Sequence, residues 1–217
     1  MVVREFCAEN FTLVPAAIAA GADRIELCDN LAVGGTSPSL GVLGATIHYA
    51  HQHGAAVFTM IRPRRGDFHY RPIELAMMGA DILQSVERGV DGVVLGLLNA
   101  DGWIDEAALA QLMTLAGGVD VTFHMAFDQI ARERQFAAID RLVELGVSRI
   151  LSHGGPSGSR IVKNLSWLKQ LVQYAEDRLA VIVGGGVSVD NAAQVAAATG
   201  ASQLHGTKLL GRLNDQP

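Results

Sequence analysis

Short β-branched or apolar runs alternate with alanine- and leucine-rich stretches of helical period eight times along this chain. The runs predict strands over Val3–Ala8, Arg24–Cys28, Ala56–Ile61, Gly92–Leu97, Asp120–Phe123, Arg149–Ser152, Ala180–Val183 and Ser202–His205. Helical segments are predicted near Leu13–Ala20, Gly41–His53, Pro72–Arg88, Asp105–Ala116, Glu133–Leu145, Asn164–Ala175 and Val189–Thr199. Gly21, Gly54, Gly89, Gly146 and Gly200 each follow such a segment, where glycine tolerates the left-handed backbone that ends a helix. Parallel neighbours need a helical crossover, so repeated β-then-α alternation predicts a parallel sheet. Eight units in a row most simply close into a single (β/α)8 TIM-type barrel spanning residues 1–217. Its chemistry would sit at the carboxyl ends of the strands. After the eighth strand only about a dozen residues remain, so the final outer helix is expected to be short or missing. A partner subunit is expected to cover that side, making the protein a homodimer or higher homo-oligomer.

Side chains alternate across a strand, so each residue's face can be read from parity. Glu5 and Cys7 share a face, as do Arg24, Glu26 and Cys28, then Thr122 and His124, then Gln203 and His205. The opposite faces carry Phe6, Ile25, Leu27, Phe123 and Leu204, which suit packing against outer helices. The consistent solution turns Glu5, Cys7, Glu26, Cys28, Arg62, His124 and His205 into the barrel or its mouth. One reading is mutual satisfaction in a core, with Glu26 and Arg62 as a buried ion pair. The other is a functional site, because so many ionisable groups on one rim are costly to desolvate unless they bind something.

The predicted loops add candidates. Residues 62–70 read Arg62-Pro63-Arg64-Arg65-Gly66-Asp67-Phe68-His69-Tyr70, and guanidinium groups grip carboxylate or phosphate bidentately. Arg62, inward by parity, is the favoured anchor; Arg64 and Arg65 read as a solvated charge run. Gly184-Gly185-Gly186 after the seventh strand and Gly206 after the eighth sit where this fold cradles phosphate. The anion-binding candidates are therefore Arg62, Gly185, Gly186 and Gly206, with Lys208 nearby as an ordinary surface lysine. The acid–base candidates are Glu26, Arg62, Asp67, His124, Asp128 and His205. Cys7 and Cys28 lie on neighbouring strands and point the same way. Paired thiolates suit a soft ion such as Cu(I), and Met60 has the parity to add a thioether.

Composition narrows the class. Hydrophobic residues make up 49% of the 217 and the mean hydropathy is +0.25, which fits strands buried on both faces. No run approaches the ~18 apolar residues of a membrane span. The first strand begins almost at the N-terminus, leaving no room for a signal peptide, so a reduced cytoplasmic setting is expected. A net charge of −5 with only three lysines argues against a nucleic-acid partner.

These residues resemble the copper homeostasis family CutC. The resemblance rests on Glu26-Leu27-Cys28 with Gly34-Gly35-Thr36-Ser37-Pro38-Ser39-Leu40-Gly41, and on the Arg62–Tyr70 segment. Gly96 with Asp101-Gly102-Trp103-Ile104-Asp105, Thr122-Phe123-His124 with Ala126-Phe127-Asp128, and Arg149-Ile150-Leu151 with Gly154-Gly155 complete it. It implies a cytoplasmic, oligomeric TIM-type barrel that handles copper, with Cys7 and Cys28 as Cu(I) ligands. The chain departs from the family pattern at Met125, where arginine is usual, at Ser152-His153 and at His205-Gly206-Thr207. Two functions follow: Cu(I) binding, or a lyase, isomerase or hydrolase acting on a small phosphorylated or carboxylated metabolite.

Overall fold

The predicted alternation folds as parallel pairing around a closed ring. In the computed structural model, which describes residues 2–156 and 158–214, eight strands join in the order β1 to β8 and back to β1. They are β1 (Val3–Glu9), β2 (Arg24–Cys28), β3 (Ala56–Met60), β4 (Gly92–Leu95), β5 (Asp120–Phe123), β6 (Arg149–Ser152), β7 (Ala180–Val183) and β8 (Gln203–Gly206). The intervening helices are α1 (Val14–Ala19), α2 (Leu40–Gln52), α3 (Pro72–Glu87), α4 (Glu106–Ala116), α5 (Gln135–Glu144), α6 (Leu165–Ala175) and α7 (Ala192–Thr199). The architecture is the predicted TIM-type barrel.

Local chemistry places the helix starts. Ser39 accepts from the Val42 amide and Asp105 from the Ala108 amide, each satisfying a first-turn donor. At α3, Pro72 takes the first turn and Glu74 reaches back to the Arg71 amide at 2.8 Å. The last predicted helix starts three residues late because Asn191 folds back to accept the Ser188 amide, holding Ser188–Asn191 as a turn.

Barrel register carries the parity argument into three dimensions. Glu5 pairs with Arg24 on one side and His205 on the other, while Cys7 pairs with Glu26. Phe6, Ile25, Leu27 and Phe123 face outward into one large apolar shell between strands and helices. Inside, Cys7, Cys28, Phe58, Met60 and Val94 form a small cluster of their own. At its base, the Phe58 ring meets two guanidinium groups, with Arg24 at 4.9 Å and Arg149 at 4.1 Å from the ring centre. The barrel floor is thus plugged by cation–π contacts, and the polar groups above it open only towards the strand ends.

No helix follows β8 among the described residues. Part of the wall it would cover is packed by the chain itself. Leu209 is buried with Leu204, Val187 and Val195, and Leu210 and Leu213 pack on the main core. These leucines cover part of the wall that motivated a partner subunit, while Val189 stays exposed; Asp215, Gln216 and Pro217 lie outside the described residues. No helix among the described residues is long and apolar enough to cross a membrane.

Candidate metal and ligand site at the barrel mouth

A cavity of about 620 Å³ opens at the carboxyl end of the barrel. Glu26, Arg62, His124, Asp128 and His205 all line it, as do Cys7, Cys28 and Met60. The segments that sequence parity turned inward do converge there. Asp67 does not join them. Its carboxylate is largely exposed, 3.0 Å from Arg64, and Arg64 holds its pKa below the ordinary carboxylate range.

At the cavity floor the side chains form one connected line. Arg24 donates from Nε to Glu5 and from Nη2 to Gln203. The other oxygen of Glu5 meets His205 Nδ1 at 2.7 Å, and His205 Nε2 lies 3.6 Å from Glu26. The Cys28 thiol contacts the same Glu26 oxygen at 3.7 Å. Ligand atoms of Cys7, Glu26 and His205 all lie within 4.8 Å of one another. The second oxygen of Glu26, Oε1, is buried without a hydrogen-bond partner.

The electrostatics follow from this line. Burial opposes the charge of Glu5, but the His205 hydrogen bond and the Arg24 charge outweigh it and hold its pKa at about 2. Burial also opposes the His205 cation, yet Glu26, Cys7 and Glu5 push its pKa well up. Burial raises Glu26 despite His205. Contact with Cys28, then burial, raises the Cys7 thiol. Because Glu5 grips Nδ1–H, any proton His205 gives up leaves from Nε2, which exposes that lone pair towards Cys7 and Glu26.

The Glu26–Arg62 ion pair of the core reading does not form among the described residues. Arg62 donates from Nη1 to the carbonyls of Val33 and Gly35, and from Nη2 to that of Gly66. Backbone oxygens of two loops had no visible claim on it in the sequence. His124 opens a 3₁₀ turn, Met125–Gln129, by accepting the Ala126 amide at Nδ1. Burial, then the Arg62 charge, lowers its pKa to about 3, so the ring is neutral. Asp128 turns away from His124 and fastens the end of β6, accepting from Ser152 Oγ, His153 N and Gly154 N. It is not the partner of the histidine beside it.

The glycines divide. Gly185 and Gly186 line the cavity and Gly206 does not. A Cβ at Gly185 would meet the His153 ring at 2.7 Å, and one at Gly206 the Val187 carbonyl at 2.7 Å, so close packing accounts for both. Lys208 is exposed. Sequence reasoning turned Glu5 inward with Cys7 but gave it no part among the acid–base, anion or metal candidates. His153 and Phe68, also in the lining, carried no periodic signal because they lie beyond strand ends.

The sequence pattern of the CutC family matches residues 2–210. The chain belongs to the CutC family. The family protein CutC of Enterococcus faecalis strain V583 is 50% identical over 208 residues, covering 96% of this chain and all of that relative. The one from Streptococcus pyogenes serotype M6 is 46% identical with the same coverage. The crystal structure of a Streptococcus agalactiae protein, provisionally described as the copper homeostasis protein CutC, superposes with a TM-score of 0.94 at 46% identity. That match covers 96% of this chain and all of the other. A deoxyribose phosphate aldolase from Aeropyrum pernix superposes at 0.68 with 12% identity, covering 96% of this chain and 87% of the aldolase. At that distance the likeness shows the barrel fold alone. This CutC family member therefore shares its whole barrel with a protein provisionally described as serving copper homeostasis.

Proposed function

We propose that this protein serves copper homeostasis by holding Cu(I) as cargo at the barrel floor, with Cys7 and Cys28 as the thiolate ligands. The supporting observation is the convergence of Cys7, Glu26 and His205, whose ligand atoms lie within 4.8 Å of one another. The donor set fits a soft ion. The Cys7 thiol and the His205 imidazole meet at one place, the Cys28 thiol touches Cys7 and Glu26 beside it, and the Met60 thioether belongs to the same apolar cluster. The orphaned Glu26 Oε1 is the kind of buried acceptor that a nearby cation satisfies. Glu5 holds the far nitrogen of His205, the second-layer contact that orients metal-binding imidazoles. Both thiols are free, which suits a reducing, cytoplasmic compartment.

Anaerobic titration of Cu(I) against a chromophoric chelator of known affinity tests the reading. Replacing both cysteines by serine is expected to weaken Cu(I) binding by at least about a hundredfold. Unchanged uptake in that variant, with the fold intact, overturns it.

A further inference from the structure

The outer half of the cavity holds groups that copper binding leaves unused. Arg62 commits its Nη atoms to three carbonyl contacts, but its Nε–H is buried and meets no acceptor. His124 accepts the Ala126 amide at Nδ1, so its ring proton sits on Nε2. That N–H is also buried without a partner. The two side chains are 6% and 4% exposed, and both line the cavity. Both pack against one ring, Phe68, which lies 5.2 Å from the Arg62 guanidinium carbon and 4.8 Å from the His124 ring centre. On the same loop, the buried Tyr70 hydroxyl lies against the Arg62 guanidinium but forms no well-aligned hydrogen bond with it.

A buried donor with no acceptor forfeits its hydration without compensation, and native interiors leave few of them. Two on residues that line one cavity and pack on one ring mark a place for an acceptor that the protein does not itself supply. Phe68, Leu31, Val33 and Leu151 give the surrounding wall an apolar character. The charge at this wall is one guanidinium beside a neutral imidazole, and the Glu26 and Asp128 carboxyl groups line the same cavity, so one negative charge is balanced better than the two of a phosphate monoester.

We infer that the mouth binds a small organic carboxylate whose oxygens accept from Arg62 Nε–H and His124 Nε2–H, with a short apolar body against Phe68. The site lies above the thiols and stands whether or not copper occupies them.

Pyruvate, malonate and inorganic phosphate should be titrated calorimetrically into metal-free protein held in a neutral amine chelator. In parallel, ¹⁵N-histidine spectra follow His124 Nε2. At least one of the two carboxylates is expected to bind with Kd below about 1 mM, at least about tenfold more tightly than inorganic phosphate. Its binding should shift the His124 Nε2 resonance. His124→Gln and Arg62→Lys are each expected to weaken binding by about tenfold or more. Should Arg62→Lys misfold through its carbonyl contacts, His124→Gln and the wild-type spectra decide the matter. The inference is overturned if neither carboxylate binds at millimolar concentration or if phosphate binds more tightly. It also falls if binding survives His124→Gln or leaves the Nε2 resonance unmoved.

Discussion

Glu5 and His205 stand 200 residues apart in sequence and meet at 2.7 Å through one carboxylate oxygen and Nδ1. The contact closes the barrel, because the two residues are register partners across the β1–β8 seam. It also joins the floor of the barrel to the candidate metal ligands, since Arg24 holds the other oxygen. One carboxylate thus serves both fold and site.

Glu5→Gln should therefore be costly. It leaves the buried Arg24 cation without its counter-charge, and breaking a buried pair from one side costs about 3–5 kcal/mol. Urea denaturation is expected to show a loss of that size. Cu(I) affinity should also fall by about 10- to 100-fold if Glu5 orients His205 as a metal-binding imidazole. Stability equal to wild type would show that the line of contacts contributes nothing.

Acid should act through His124 and Glu5 over different ranges. The His124 pKa is about 3 when folded against an ordinary 6.5. Between those values the unfolded chain binds the proton and the folded one does not, so stability is complete above 6.5 and declines as pH falls towards 3. Glu5 is about 2 when folded against an ordinary 4.5, so its share is present above 4.5 and is lost as pH falls towards 2. The raised Glu26 and Asp128 carboxyls act in the opposite direction, so the His124 share is read as a difference: relative to wild type, His124→Gln should lose less unfolding free energy between pH 6.5 and 4.5. A His124 ring that protonates near pH 6 in NMR titration would contradict the environment described.

Asp128→Ala is expected to separate structure from ligand handling. The carboxylate satisfies Ser152 Oγ and the amides of His153 and Gly154. Its removal strands those donors, at about 2–4 kcal/mol. The melting temperature should drop, while Cu(I) affinity of the folded protein stays within about twofold of wild type. A large loss of copper binding without loss of stability would place Asp128 at the metal instead.

Gly92→Ala tests the barrel floor. A Cβ there would run into the Phe58 ring and come within 2.7 Å of the Asp120 carbonyl. Phe58 has little room to yield because Arg24 and Arg149 pack on it. Overpacking of this kind costs about 1–3 kcal/mol or more, readable as a lowered denaturation midpoint.

The barrel was legible because its signals are local. Buried parallel strands must be apolar, helices must be capped, and glycine ends them, so alternation and parity alone placed Glu26, Cys7, Cys28, His124 and His205 inside. Which of these groups touch was not legible. Arg62 is bound by backbone carbonyls at Val33, Gly35 and Gly66, and a carbonyl has no residue-specific letter in a sequence. Asp67 and Asp128 were each one hydrogen bond away from a different partner, Arg64 in one case and the β6 terminus in the other. The missing eighth helix was visible as a shortage of residues, but its partial replacement by Leu209, Leu210 and Leu213 depended on packing across elements. Short-range periodicity thus determined the architecture and the inward set. Only the closure of β1 on β8, a contact between the two ends of the chain, decided that Glu5 would hold His205 and turn its free nitrogen towards Cys7 and Glu26.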